Sequence, residues 1–216
     1  MGGPSRGIIE SLLDAEMADR ETNFPARVAE LIDRLSRLTR DRQFVDGLNP
    51  AQWEALRFVQ RANRYSRTPS ALAEFLGTTK GTVSQTLIAL ERKGLILRGS
   101  SSADRRVTIL RLTPAGEELL TRDPVLGLER MAATLGPAIT RDLAEGLGWL
   151  LASIQRETGV KSFGACALCC DHGCGDDGDG HVCGLTGETL LAHEADQICV
   201  KFRLSETDPA NAAVKP

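Results

Sequence analysis

The chain has 216 residues, a formal net charge of −3 and 42% hydrophobic residues, which suits one substantial domain or a domain with an appendage. No run approaches the roughly 18 consecutive apolar residues that a membrane-spanning helix needs, and the first ten residues lack the apolar core of a secretion signal. We therefore expect no membrane span, no membrane partner and a cytoplasmic location.

The first predicted elements are amphipathic helices within residues 1–47. A short apolar stripe occupies residues 8–13, and a longer one follows Pro25. Its members recur at the helical spacing of three and four: Val28, Leu31, Ile32, Leu35 and Leu38. This apolar face is larger than one small domain of the same chain could bury, so we expect these helices to form part of a dimer interface.

Residues 48–122 predict a helix-turn-helix followed by a β-hairpin, or wing. Asn49-Pro50 is typical of a helix start, and Gly94 suits the left-handed position that ends the second helix of the motif. Two apolar runs flank the hairpin tip, Ser100–Arg106, which carries two arginines. A short helix, a turn, a longer helix and a charged wing form a shape that reads duplex DNA.

The charge distribution supports the same partner. Between Leu48 and Pro124 there are twelve basic and seven acidic residues, whereas from Lys161 onward four basic residues face nine acidic ones. Phosphate contact requires such a local positive field, although a polar helix face is also commonly just solvated. The candidate DNA-binding residues are Thr79, Lys80, Thr82, Ser84, Gln85, Arg105 and Arg106.

The last long helical pattern falls in residues 123–160. Leucine, isoleucine and methionine recur mainly every four residues from Met131 to Ile154, which suits a buried interface, and Gly136-Pro137 is expected to divide the pattern into two helices. We interpret this region as C-terminal dimerisation helices. Trp53 and Trp149 are both predicted to be core residues.

All six cysteines fall after residue 165, in a predicted extension over residues 161–204. In a reducing compartment such clustering favours metal or redox chemistry over structural disulfides. Cys166 and Cys169 form a Cys-x-x-Cys turn that can present two thiolates to one metal, and Cys183 and Cys199 can complete a four-sulfur site. The further candidate ligands are Cys170, His172, Cys174 and His181.

Several local structures are expected around these cysteines. A helix is predicted over Glu188–Gln197, between the third and fourth ligands. An apolar shell is expected from Phe163, Ile198, Val200 and Phe202. The Gly/Asp-rich stretch Gly173–Gly180 is expected to be a flexible loop, and residues 205–216 a disordered tail.

The spacing leaves the metal open. Structural zinc most often uses two paired Cys-x-x-Cys knuckles, and the second pair is missing here. An iron–sulfur cluster tolerates dispersed cysteines and would give a redox or oxygen input, so the pattern leans slightly towards a cluster. Free thiols, or a disulfide switch without metal, are the remaining alternative.

The order of these motifs resembles the MarR family of transcriptional regulators over roughly residues 25–157. The run from Glu91 to Ile96, followed by Asp-Arg-Arg and by Leu-Thr-Pro-Ala-Gly, is specific in combination. The matching segments are Leu48–Trp53, Leu72–Leu76, Gly81–Ser84, Leu90–Ile96, Asp104–Arg106 and Leu112–Gly116.

The resemblance implies a mainly α-helical fold with a small β-wing: a winged helix-turn-helix lobe, a helical dimerisation domain and, here, a small cysteine-rich C-terminal extension. It also implies a homodimer on a pseudo-palindromic DNA operator, frequently acting as a repressor that responds to a small-molecule effector or to oxidation. One branch of the family senses peroxide through a cysteine near the N-terminus. That mechanism is not carried over, because no cysteine precedes Cys166.

Our functional hypothesis is a DNA-binding regulator whose cysteine-ligated centre modulates its activity. One alternative is a regulator that responds to a small aromatic ligand, with a purely structural zinc tail. Another is a thiol- or metal-dependent oxidoreductase, but the sequence has neither a glycine-rich nucleotide loop nor a recognisable nucleophile–base pair. We therefore expect no enzymatic activity.

Overall fold

The computed structural model describes residues 23–100, 105–174 and 181–203, with Cys174 described by its backbone alone. The chain falls into two compact units, which divide between Gly47 and Leu48. The predictions for residues 8–13, for most of the hairpin tip, for most of the Gly/Asp-rich loop and for the tail lie outside the described residues.

In the first unit, the described part is dominated by one helix, α1 (Phe24–Asp41), with Pro25 in its first turn. The predicted apolar stripe lies on this helix, and no residue of α1 is buried. Leu35 is 52% exposed and Leu38 61% exposed. The helix was predicted correctly, and its apolar face is open in the single chain.

The second unit contains the lobe, the C-terminal helices and the cysteine-rich segment. Its helices are α2 (Pro50–Arg61), α3 (Pro69–Phe75), α4 (Lys80–Arg92), α5 (Pro114–Leu120), α6 (Val125–Ala133), α7 (Pro137–Thr158) and α8 (Ala192–Ala195). Its strands are β1 (Ile96–Ser100), β2 (Thr108–Leu112), β3 (Gly164–Ala165), β4 (His172–Cys174), β5 (His181–Cys183), β6 (Glu188–Leu190) and β7 (Ile198–Cys199), with a 3₁₀ turn at Cys166–Leu168.

Side-chain caps begin the four helices of the lobe. The Asn49 side chain accepts a hydrogen bond from Gln52 N at 3.0 Å, and the Gln52 side chain accepts one from Asn49 N at 3.2 Å, which together make a capping box. Thr68, Thr79 and Thr113 cap α3, α4 and α5 in the same position. Each cap satisfies a backbone donor that the first helical turn leaves open.

The lobe core lies where α2, α3, α4 and the hairpin meet. Its largest fully buried apolar side chains are Trp53, Leu56, Phe58, Leu72, Val83, Leu87, Leu90, Ile96 and Leu110. Gly94, with φ at +69°, turns the chain from α4 into β1, a conformation that glycine adopts without steric cost. The two strands pair antiparallel from Ile96↔Leu112 to Ser100↔Thr108, which forms the predicted wing.

The C-terminal helices expose the apolar residues that the sequence predicts for an interface. Ile139 is 59% exposed and Leu147 is 44% exposed, and Ala152 is the one buried residue of α7. The core prediction holds for Trp53, which is completely buried, but was wrong for Trp149, which is 50% exposed. None of the helices in the described part of the chain combines the length and the apolar character that a membrane span requires.

The cysteine-rich segment forms two small sheets instead of the predicted long helix. Strand β6 replaces the start of the expected helix Glu188–Gln197, and α8 covers four residues of it. Strands β4, β5 and β6 form one antiparallel sheet, while β3 pairs with β7 through Gly164↔Cys199. The hairpin register explains the error, because pairing of His181 with Leu190 places residues 188–190 in extended backbone.

The observed architecture is mainly α-helical with small sheets, as the sequence predicts for the fold class. We refer below to residues 161–203 as the cysteine module and to residues 62–68 as the α2–α3 connection.

Candidate functional site

Helix α4 presents the predicted DNA-reading face to solvent. Its core side is buried through Val83, Leu87 and Leu90. On the opposite side, four of the five candidate residues in and before α4 are exposed and Ser84 is half-buried; the exposed ones are Thr79, Lys80, Thr82 and Gln85. The fold thus separates the packing side of the helix from a polar side that can enter a groove.

The start of α4 is held by two threonines. Thr82 N donates to the Thr79 hydroxyl at 3.1 Å, and the two hydroxyl oxygens lie 3.0 Å apart. These side chains stabilise the helix start, where backbone N–H groups and the helix dipole favour an anion such as phosphate.

The wing places its two arginines beside the part of the tip that lies outside the described residues. Arg105 and Arg106 directly precede β2, and both are exposed. Strand β2 is anchored to the lobe, because Leu110 is fully buried and its N–H donates to the Arg67 carbonyl at 2.7 Å. The hairpin therefore extends from a fixed base.

The cysteine module brings the four predicted ligands to one pocket. Cys166 and Cys169 come from the 3₁₀ turn and its end, Cys183 from β5 and Cys199 from β7, and all four line the same cavity. Cys166 and Cys199 are buried, and the other two are half-buried. The remaining lining residues are Asp171, His172, Leu185, Leu190 and Lys201.

Nitrogen donors contact the two buried sulfurs. The Asn63 side-chain amide donates to Cys166 Sγ at 3.2 Å, and Lys201 N donates to Cys199 Sγ at 3.4 Å. Burial raises the pKa of Cys169, and backbone groups of Arg203 and Asp171 oppose this rise. Donors aimed at sulfur stabilise thiolates and metal-bound thiolates.

The thiols differ in how readily they ionise. Burial raises the pKa of Cys166 to about 11, the amide of Asn63 opposes this rise, and the neighbouring Cys199 adds to it. Burial also acts on Cys183, but hydrogen bonds from the side chain and backbone of Thr186 lower its pKa below the ordinary value. A metal ion is the kind of partner that would deprotonate the more resistant thiol.

The further candidate ligands lie around this pocket. Cys170 is exposed and does not line it. His172 does line it, and its Nε2 lies 2.8 Å from His181 Nδ1. The Cys174 side chain lies outside the described residues.

A second, more compact group involves the turn at Cys169. Within the described ranges, the ligand atoms of Cys169, Cys170 and Asp171 lie within 4.8 Å of one another. Asp171 is already engaged by Arg203, whose Nε donates to it at 2.9 Å, and this hydrogen bond holds the pKa of Asp171 below its ordinary value. This ion pair fixes the turn that carries Cys169.

The expected apolar shell is divided between two cores. Phe202 packs with the cysteines, together with Leu190. Ile198, Phe163 and Val200 instead pack against the core of the lobe. The prediction was wrong for these three side chains because the module lies against the α2–α3 connection, which a sequence pattern cannot reveal.

Sequence reasoning also missed Asn63. It lies in the α2–α3 connection, is fully buried and contacts a cysteine 103 positions away. The polar run Asn63-Arg64-Tyr65-Ser66 between two helices indicates only a turn, so no local signal could have identified this contact.

Known proteins are similar to this chain in sequence and in fold. The family model described as MarR family matches residues 46–107. A transcriptional regulatory protein for the hcr operon of Thauera aromatica is 30% identical over 121 residues, which cover 56% of this chain and 70% of that protein.

Solved structures are similar in fold. A crystal structure of a MarR family transcription regulator matches with a TM-score of 0.52 at 16% identity, covering 68% of this chain and 98% of that one. The complex of MepR from S. aureus with DNA has a TM-score of 0.48 at 23% identity, covering 58% and 96%.

The winged helix-turn-helix lobe, the family match and the regulatory relative together define a transcriptional regulator that binds DNA, and not an enzyme. The chain belongs to the MarR family.

Proposed function

We propose that this regulator carries a metal centre on Cys166, Cys169, Cys183 and Cys199, and that the state of this centre modulates DNA binding. The observation that carries the proposal is the convergence of four cysteines, from three separated parts of the module, on one pocket in which the two buried sulfurs accept N–H hydrogen bonds. Loading, oxidation or loss of the centre would shift the protein between forms that differ in DNA affinity.

Zinc and an iron–sulfur cluster place different demands on the pocket. Four thiolates around one zinc ion at about 2.3 Å lie roughly 3.8 Å from one another, and the compact group in the described residues is a different one, at Cys169–Asp171. Cys166, Cys183 and Cys199 do not belong to that compact group, and a cluster accepts ligands that are farther apart than those of a single ion. The free space between the side chains, about 10 Å³, is room for one water-sized sphere and favours a single ion. Both centres therefore remain in the proposal, and metal analysis separates them.

The DNA complex that we propose is that of a homodimer on a pseudo-palindromic operator. Ser84 and Gln85 would contact base edges, Thr79, Lys80 and Thr82 the phosphates, and Arg105 and Arg106 the minor groove or backbone beside the wing. Support for the dimer comes from the apolar faces of α1 and of α6–α7, which are exposed along their length in the single chain.

A second candidate function has one observation in its favour. An open cavity of about 480 Å³ lies between α2, β2 and α5, within the size range of small-molecule sites. Its polar lining consists of Gln60, Arg67, Arg111 and Glu117. The two guanidinium groups outnumber the one carboxylate, so a small organic acid is the matching effector class. In this alternative the regulator responds to the acid and the cysteine centre is structural zinc.

The metal is tested by purifying the full chain without oxygen, followed by ultraviolet–visible spectroscopy and elemental analysis. A stoichiometric amount of zinc, or of iron with acid-labile sulfide and visible absorbance, is the expected result. A colourless protein with neither metal eliminates the centre.

The modulation is tested with the double substitution Cys166→Ser and Cys169→Ser. We expect loss of the metal and loss of the response of DNA binding to oxidant or chelator, measured by fluorescence anisotropy. An unchanged response would favour the acid-responsive alternative, in which titration with an aromatic carboxylate changes DNA affinity in both proteins.

A further inference from the structure

The cysteine module is fastened to the DNA-binding lobe at the α2–α3 connection. Ala62 forms a parallel bridge with Ile198, and Asn63 N donates to the Ile198 carbonyl at 3.0 Å. Val200 N donates to the Ser66 hydroxyl at 2.7 Å. Backbone and side-chain bonds therefore join residues that are more than 130 positions apart in sequence.

Charged groups reinforce this contact at its edge. Arg64 donates to Glu194 at 2.8 Å and to the Thr189 carbonyl at 2.6 Å. The Tyr65 hydroxyl donates to Glu188 at 2.6 Å. Glu194 is 6% exposed, so the carboxylate of this ion pair is buried, while the Arg64 side chain keeps 43% of its surface in solvent. These bonds hold the module in one position on the α2–α3 connection.

Asn63 lies at the centre of this contact between the module and the connection. Its amide nitrogen donates to Cys166 Sγ, while its carbonyl oxygen accepts from Tyr65 N at 3.1 Å and from the Ser66 hydroxyl at 2.7 Å. Asn63 and Ser66 are both fully buried. One planar amide thus joins a ligand sulfur of the proposed centre to the backbone of the connection.

The connection in turn holds the first helix of the helix-turn-helix and the base of the wing. Thr68 N donates to the Ser66 carbonyl at 2.7 Å, and the Thr68 hydroxyl caps α3. The Arg67 carbonyl accepts from Leu110 N of β2 at 2.7 Å. A shift of the connection therefore acts on the helix-turn-helix and on the base of the wing.

We propose that Asn63 is the positioning residue that couples the cysteine centre to DNA binding, and that the loaded centre is the form that binds DNA tightly. This inference rests on the proposed metal centre and names the route and the sign of its regulation. A metal-bound thiolate carries negative charge and strengthens the hydrogen bond from the Asn63 amide, whereas a free thiol is a weak acceptor. The stronger bond orders the connection, so the lobe meets DNA already arranged and loses less conformational entropy on binding.

The route differs from one through the dimer helices. The module follows α7 in the chain, but its described hydrogen bonds to the lobe reach the α2–α3 connection directly, apart from one that Lys161 donates to Glu74 of α3. The state of the centre can therefore change the lobe itself without re-aiming one lobe against the other.

The test compares DNA affinity with and without the metal that the full-length protein retains on purification. In the wild-type protein we expect at least a tenfold weaker affinity after anaerobic removal of the metal by chelation. In Asn63→Asp, a carboxylate oxygen replaces the amide oxygen that accepts from Tyr65 and Ser66, but the N–H donor to the Cys166 sulfur is lost. Once its metal content is confirmed, we expect the DNA affinities of this variant with and without metal to agree within twofold.

Asn49→Asp is the matched control, because Asn49 is exposed and aspartate caps a helix as well as asparagine does. This control should keep the wild-type ratio of DNA affinity with metal to DNA affinity without metal. The inference is overturned if loaded Asn63→Asp also keeps that ratio, or if removal of the metal strengthens wild-type DNA binding. A wild-type affinity that is equal in both states instead overturns the proposed modulation itself.

Hydrogen exchange on the wild-type protein decides the route without any variant. Removal of the metal should speed exchange of the Leu110 amide and of the amides of residues 62–68 by at least tenfold, with little change in the centre of α7. Unchanged exchange at the connection and at β2, in a protein whose DNA affinity does respond to metal, would overturn the role of Asn63. Ser66→Ala, which leaves Cys166 untouched, is expected to reduce the affinity ratio as well.

Discussion

The tightest backbone approach in the cysteine module predicts a variant that loses metal without unfolding the lobe. A Cβ added at Gly184 would lie 2.9 Å from the Asp171 carbonyl oxygen, which is itself backbone and cannot swing away. Gly184 N also donates to that same oxygen at 2.6 Å. This contact fixes Cys183 against the turn that carries Cys169, so Gly184→Ala should separate two of the four ligands.

The size of the effect follows from the geometry. Ordinary contact needs about 3.4 Å, so the two segments must move apart by about 0.5 Å, which strains or breaks a hydrogen bond worth about 1 kcal/mol. Displaced supporting contacts around metal ligands typically cost about 10- to 100-fold in metal affinity. We expect a loss in that range, while the lobe stays folded because its largest fully buried side chains lie outside the cysteine module.

The assay is anaerobic competition for the metal against a chromophoric chelator. Gly173→Ala is the matched control: it lies on the adjacent strand β4, where an added Cβ meets no atom within 4 Å, and it should bind metal as the wild type does. Equal affinities for Gly184→Ala and Gly173→Ala, within threefold, would refute the reasoning.

Three further predictions concern the lobe and the open helix face. Arg105→Ala should lower the slope of log affinity against log salt by roughly one unit, as expected for one lost phosphate contact. The control Arg130→Ala, at an exposed position on α6, should leave the slope unchanged. Equal slopes for the two variants would show that Arg105 does not contact DNA. Leu87→Ala, at a completely buried position, should lower the free energy of unfolding by about 2–5 kcal/mol in urea denaturation. Leu147→Lys, on the exposed apolar face of α7, should dissociate the proposed dimer in analytical ultracentrifugation, and Glu145→Lys, on the opposite side of the helix, should leave it intact.

Local signals were enough to predict the lobe. Asn49 before Pro50, Thr68 before Pro69 and Thr113 before Pro114 are cap and first-turn residues, and each begins a helix where the sequence indicates one. Apolar spacing identified the buried side of α4 because a helix that packs on one side repeats every three to four residues.

The cysteine module was only partly predictable. The grouping of Cys166, Cys169, Cys183 and Cys199 followed from chemistry, since thiolates in a small segment need a common partner. The secondary structure between them did not, because segments of three or four residues are set by strand pairing and not by their own propensity. Contacts such as that of Asn63 with Cys166 depend on tertiary placement alone.

The contact of the module with the α2–α3 connection has a consequence for biosynthesis. Ala62 and Asn63 are completely buried, yet the partners that cover them include Cys166 and Ile198, which are translated more than a hundred codons later. The whole lobe of a growing polypeptide is therefore complete in sequence while these two residues still lack their partners. We expect chains that stop before the last strand to be cleaved at the α2–α3 connection faster than full-length chains in limited proteolysis.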